Sequence, residues 1–166
     1  ADTFDSYRVI FGEADGLPGI IVDKYDDYLS VQILTAGMEK LFPVFKDVLI
    51  ETFSPRSIIL RNDTQVREME GLQLFKEICY GKIDSMPIIN ENGVLFKVDL
   101  LEGQKTGFFL DQRSNRLYLR KLLKESSGSK ILDCFSYSGG WALSSAFEKN
   151  NNVTAVEISD KACQLI

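Results

Sequence analysis

Ile131-Leu-Asp-Cys-Phe-Ser-Tyr-Ser-Gly-Gly140, followed later by Glu157, is the stretch that decides the fold of this chain. Residues 130–135, Asp133 among them, read as a strand, and glycines then turn the backbone. Residues 141–149 read as a helix, and 152–157 read as a second strand. Strand, turn, helix and strand make a βαβ unit, the front of a doubly wound α/β domain. Such a turn points backbone N–H groups and a positive helix end at a ligand. Gly139 and Gly140 carry no Cβ, so the ligand can approach the backbone closely. Glu157, at the tip of the second strand, is placed to accept hydrogen bonds from both ribose hydroxyls of an adenosine.

Two cofactor classes use this device. A dinucleotide oxidoreductase needs G-x-G-x-x-G to hug a pyrophosphate. Here the turn reads Ser136-Tyr-Ser-Gly-Gly-Trp141, without that spacing and with bulky Tyr137 and Trp141. S-adenosylmethionine has no phosphates, so the methyl donor fits better. A lone Gly-Gly is more often just a turn, and Asp133 alone can be a structural cap; the combination with Glu157 carries the signal. Gly103-Gln-Lys-Thr-Gly107 holds Gly, Lys and Thr but lacks the G-x-x-x-x-G-K-[ST] spacing of a phosphate loop.

Upstream of this unit, two strand-like runs between Arg8 and Tyr25 flank Gly12-Glu-Ala-Asp-Gly-Leu-Pro-Gly19. Tyr28 to Leu34 alternates, with Leu29, Val31 and Ile33 on one side, and reads as a half-buried strand. Met38, Leu41, Phe42, Phe45, Val48, Leu49 and Thr52 recur at helical spacing, with Pro43 expected in the first turn. Two further strands follow at 57–61 and 72–80. The expectation is a small α+β domain (strand-strand-helix-strand-strand) over residues 1–87. Residues 88–166 then hold a hairpin and the N-terminal portion of a Rossmann-like domain. The hairpin turns at Asn90-Glu-Asn-Gly93. Asp111 is expected to cap a helix running to about Lys124, with Leu117, Leu122 and Leu123 on its apolar side, and Ser126-Ser-Gly-Ser129 to end it. Ser159 or Asp160 opens a last helix.

A net charge of −5 argues against nonspecific nucleic-acid binding by the chain as a whole. Acidic residues crowd the start (Asp2, Asp5, Glu13, Asp15, Asp23, Asp26, Asp27). Basic ones gather at Lys105, Arg113, Arg116, Arg120, Lys121 and Lys124, and read as a solvated helix face. With no histidine there is no Ser-His-Asp triad, no Cys-His pair and no His-ligated metal, and no metal site is expected. The cysteines Cys79, Cys134 and Cys163 sit at no ligand spacing and suit a reduced, cytoplasmic protein, with Cys79 and Cys134 expected on buried strands. The start lacks both a signal-peptide pattern and an initiator methionine.

Three motifs in order carry a family resemblance: Phe11-Gly-Glu-Ala-Asp-Gly-Leu-Pro-Gly-Ile-Ile-Val-Asp-Lys-Tyr25, Gly103-Gln-Lys-Thr-Gly-Phe-Phe-Leu-Asp-Gln-Arg113 with Asn115-Arg116, and Asp133-Cys-Phe-Ser-Tyr-Ser-Gly-Gly140. Together they resemble the ribosomal RNA large-subunit methyltransferase I type, S-adenosylmethionine-dependent enzymes that act on cytosine C5 of 23S rRNA. Members are built from an RNA-binding PUA domain, a central α+β domain and a class I Rossmann-like catalytic domain. The resemblance implies a role for residues 1–87 in recognising the RNA substrate. It implies that Asp133, Phe135, Ser136, Tyr137, Gly139 and Gly140 line the cofactor's methionyl end and that Glu157 holds the ribose. Lys105, Thr106, Phe108 and Arg113 approach from the preceding segment, Arg113 as a bidentate partner for the cofactor carboxylate.

Cytosine C5 is a poor nucleophile, and methylating it requires a thiolate to add at C6 first. The resemblance places that cysteine, and an Asp-Pro-Pro motif, C-terminal to Ile166, so no catalytic residue is assigned. The chain reads as a truncated piece, expected to be inactive alone and to self-associate, as a homodimer for example, through an open sheet edge. Two other readings stay open: methylation of another RNA position such as guanine N7, and a non-catalytic binding or assembly module.

Overall fold

The turn at Gly12–Asp15 folds the first two strands back on each other in a computed structural model, which describes residues 5–126, 128–147 and 150–166. The expectations for Asp2, for Ser127 in the helix-ending run and for the end of the 141–149 helix fall outside those residues. The chain divides into two units. One holds the residues up to Pro87 together with Asp99–Phe108; the other holds Ile88–Val98 and Phe109–Ile166.

In the first unit, strands β1 (Ser6–Phe11), β2 (Ile20–Tyr25) and β3 (Tyr28–Ile33) form an antiparallel meander. Helix α1 (Ala36–Phe53) crosses over to β4 (Ser57–Asn62), which pairs with β3 in parallel. A short helix α2 (Val66–Met69) leads to β5 (Phe75–Gly81), antiparallel to β4. The strand-strand-helix-strand-strand order is thus realised around α1, with β1 as a further edge strand. Ile20, Val22, Leu29, Val31, Ile33, Ile58 and Leu60 pack with Met38, Phe42 and Leu49 of α1 in one core. Each such side chain contributes roughly 1.5–3 kcal/mol on burial.

Two expectations change here. Strand β3 is buried on both faces rather than one, with Ser30 at 0% exposure. The second face of the sheet is fastened to Asp99–Phe108: Arg61 on β4 donates to the carbonyls of Leu100 (3.2 Å) and Gly103 (2.6 Å). Pro43 lies in the interior of α1, not its first turn, because Thr35 caps the helix further upstream by accepting from Met38 N at 3.3 Å. Burial of Met38 and Phe42 offsets the backbone hydrogen bond that proline cannot make.

In the second unit, β6 (Ile88–Glu91) and β7 (Val94–Lys97) form a hairpin closed by Asn92 and Gly93, both at positive φ, the mirror-image turn that suits strand twist. After a 3-10 turn at Leu110–Gln112 come α3 (Arg113–Lys124), β8 (Lys130–Cys134), α4 (Gly140–Ala146), β9 (Asn152–Val156) and α5 (Asp160–Cys163). Strands β8 and β9 pair in parallel, as the βαβ reading requires. Ser159 caps α5, accepting from Ala162 N at 3.3 Å.

Asp111 falls in the 3-10 turn, and no side chain caps α3. The basic face of α3 is not wholly solvated either. Arg116 is its buried residue, at 2% exposure, while Leu122 is exposed. Cys134, expected in a core, is exposed on β8. Among the described residues no helix is long and apolar enough to cross a membrane.

Candidate functional site

Three residues beyond β8 have left-handed backbones: Phe135 (φ 61°), Tyr137 (φ 49°) and Gly139 (φ 74°). For the two non-glycine residues this conformation costs about 1–3 kcal/mol each, so the surroundings must enforce it. Ser136 N donates to Val156 O at 3.1 Å, tying the turn to β9, and Gly139 N donates to Ser136 O at 2.8 Å. Asp133 Oδ2 accepts from Ala142 N at 2.9 Å and so satisfies the first turn of α4. A Cβ on Gly139 would lie 3.0 Å from Ile166 and 3.3 Å from Leu143.

Glu157 closes the arrangement. Its Oε2 accepts from Tyr137 N at 2.7 Å, and its Oε1 accepts from Ile158 N at 2.9 Å and Ser159 N at 3.0 Å. These N–H donors, that of Ser159 foremost and then that of Tyr137, hold the carboxyl below its ordinary value. Asp133 moves the other way: loss of solvent raises its pKa, and the Ala142 N–H only partly opposes this. Two carboxylates with opposite shifts therefore flank one turn, a pattern common at functional sites.

The structure brings together Asp133, Phe135, Ser136, Tyr137, Gly139, Gly140 and Glu157 at the ends of β8 and β9. Ser136 and Ser138 are buried, and their hydroxyls have no hydrogen-bond partner among the described residues. Phe135 and Ile158 are 89% and 95% exposed. Arg113 also belongs to this unit, and its Nε donates to Glu91 Oε2 at 3.1 Å.

Lys105, Thr106 and Phe108 belong to the first unit. Thr106 is buried, donates to Asp23 Oδ2 at 2.5 Å and shares a 2.9 Å hydrogen bond with Tyr25. Phe108 is buried and its N–H donates to the Tyr25 hydroxyl at 3.1 Å. Burial, and then the charge of Asp23, pushes the Tyr25 phenol far up, so it stays a neutral hydroxyl. Lys105 is exposed, with a left-handed backbone (φ 54°).

Sequence reasoning missed Glu91, Arg116 and Phe109. Glu91 accepts from Arg116 Nε (2.6 Å) and Nη2 (2.7 Å), Arg116 Nη1 donates to Phe109 O (3.1 Å), and the Phe109 ring stands edge-on to Tyr137. The available signal was the spacing of Arg113, Arg116 and Arg120, which falls on one helix face.

The parallel β8–α4–β9 unit, glycine turn and terminal carboxylate are those of the Rossmann-like methyltransferase fold. A solved SAM-dependent methyltransferase structure from Streptococcus mutans superposes with a TM-score of 0.77 at 21% identity, over 99% of this chain and 42% of its own. In sequence, the chain is a relative of proteins named ribosomal RNA large subunit methyltransferase I. That of Shigella dysenteriae is 37% identical over 165 residues, 99% of this chain and 41% of the relative. That of Vibrio cholerae is 43% identical over 143 residues, 86% of this chain and 35% of the relative. The chain thus spans about two fifths of the length of these curated relatives. No protein-family model matches it.

Proposed function

We propose that this chain contributes the cofactor seat of an S-adenosylmethionine-dependent RNA methyltransferase that acts in the cytoplasm on cytosine C5 of 23S ribosomal RNA. The observation that carries the reading is the pairing of the glycine turn between β8 and α4 with the carboxylate of Glu157, which follows β9. Backbone N–H groups of Ser159, Tyr137 and Ile158 aim that carboxylate and hold its pKa below the ordinary value. The names of the relatives support RNA as the substrate class.

In this reading Glu157 holds the ribose diol, and the exposed Ile158 offers apolar surface for a purine ring. Asp133, Phe135, Ser136, Tyr137, Gly139 and Gly140 line the methionyl end. Arg113, in the same unit, completes the set. When bound, the cofactor supplies a methyl group activated by its sulfonium. The residues here bind and orient; none is assigned the covalent step at cytosine C6.

Titration calorimetry of the full-length protein tests the seat. Glu157→Ala should weaken S-adenosylmethionine binding roughly 10- to 100-fold, the worth of one or two hydrogen bonds to a charged group. Unchanged affinity would refute the ribose assignment. Nucleoside analysis of treated 23S rRNA tests the target: 5-methylcytidine is expected, and 7-methylguanosine would overturn the C5 assignment.

A further inference from the structure

We infer that Glu91, Arg116 and Phe109, all outside the glycine turn, are positioning residues for Tyr137 and, through its N–H, for the ribose carboxylate Glu157. The inference rests on the S-adenosylmethionine reading above.

Tyr137 is the weak point of the cofactor seat. Its left-handed backbone (φ 49°) persists only if neighbours over-determine it. One constraint is its N–H bond to Glu157 Oε2 at 2.7 Å, which also aims the carboxylate. Another is its ring, which meets the Phe109 ring edge to face, centroids 5.9 Å apart and planes at 82°. That geometry is the favourable one for the two ring quadrupoles.

Phe109 in turn is anchored from behind. It immediately precedes the 3-10 turn at Leu110–Gln112, and its carbonyl accepts from Arg116 Nη1 at 3.1 Å. Arg116 cannot drift, because Glu91 grips it with two hydrogen bonds at 2.6 and 2.7 Å and both side chains are 2% exposed. A two-point grip between a planar guanidinium and a carboxylate fixes orientation as well as distance. Arg113 shares the same carboxylate at 3.1 Å. An unbroken series of contacts within one unit therefore runs from the hairpin carboxylate Glu91, through Arg116, Phe109 and Tyr137, to Glu157. Arg116 is committed to holding Phe109, and Phe109 holds the residue that aims Glu157. Without the Phe109 ring, Tyr137 can relax toward ordinary backbone angles, and Glu157 then loses a donor that orients it.

The test uses the full-length protein, with calorimetric titration of S-adenosylmethionine and thermal melting on each variant. Phe109→Leu should weaken binding about fivefold, in keeping with the loss of one aromatic pair. Phe109→Tyr, which keeps the ring, should restore near wild-type affinity. Phe109→Leu combined with Glu157→Gln should bind no more weakly than Glu157→Gln alone, because both act through the same carboxylate. A merely structural Phe109 would lower the melting temperature without that non-additivity. Unchanged affinity in Phe109→Leu, or fully multiplicative losses in the double variant, would overturn the inference. Glu91→Gln should weaken binding in the same direction, and if it fails to fold the Phe109 variants still decide. Failure of the wild-type protein to bind would instead bring down the methyl-donor reading itself, and this inference with it.

Discussion

Glu91 and Arg116 form a two-point ion pair at 2.6 and 2.7 Å with both side chains 2% exposed, and it joins the β6–β7 hairpin to α3. Removing Arg116 leaves the buried Glu91 carboxylate with the 3.1 Å bond from Arg113 in place of a two-point grip. Arg116→Ala should therefore cost about 3 kcal/mol in denaturant unfolding, the low end for a broken buried pair. Replacing both, Glu91→Leu with Arg116→Met, should recover much of that loss, since well-packed apolar pairs often equal buried ion pairs. A double variant less stable than Arg116→Ala would show that the pair contributes more than it costs to desolvate.

Phe135 combines 89% exposure with a left-handed backbone at φ 61°. Little packing rewards the side chain, so its strain should be recoverable. Relief of about 1–2 kcal/mol of left-handed cost, less the added chain entropy of glycine at about 0.5–1 kcal/mol, predicts that Phe135→Gly stabilises by about 1 kcal/mol. The same variant should bind S-adenosylmethionine more weakly, because it removes apolar surface beside the seat. Denaturation midpoints and calorimetry read the two effects separately, and a destabilised variant with unchanged affinity would refute both.

Legibility in the sequence followed the range over which each signal acts. The βαβ unit was readable because strand, turn and helix signals are local, and Glu157 needed only the next strand. What failed depended on contacts distant in sequence. Ser30 alternates like a solvent-facing residue, yet it is 0% exposed because the second sheet face is fastened to Asp99–Phe108. Arg116 looked like one more charge on a solvated helix, and only the hairpin carboxylate Glu91 makes it a buried anchor. The placement of Pro43 failed for a different reason: α1 starts at Ala36, and even the first apolar position, Met38, lies more than one turn ahead of the proline.

Pro43 offers a check on that point. It lies inside α1 and is itself exposed. Proline in a helix interior costs about 3 kcal/mol, while its stiffening of the unfolded chain returns about 0.4–1 kcal/mol. Pro43→Ala should therefore stabilise the first unit by about 2 kcal/mol in chemical denaturation. Destabilisation would mean that α1 has a bend its core contacts require.

Asp133 and Glu157 should give opposite pH signatures. Glu157 has a folded pKa lowered from the usual 4.5 by the Ser159 and Tyr137 N–H groups. Its stabilising contribution is present above that usual value and is lost as pH falls through the lower folded one. Asp133 has a folded pKa raised from the usual 3.8 by desolvation. Its favourable contribution belongs to the protonated form. That contribution is complete below 3.8 and is lost as pH rises through the higher folded pKa. At neutral pH Asp133 is thus a desolvated charge, while an asparagine oxygen can still accept from Ala142 N. Asp133→Asn should melt higher than wild type at pH 7, with the advantage shrinking as pH falls toward 3.8. Glu157→Gln should melt lower at pH 7, and its deficit should shrink once pH drops below 4.5. Thermal melts of both variants from pH 3 to pH 8 decide the matter. Parallel curves for the two would show that neither carboxylate is tuned by the turn it flanks.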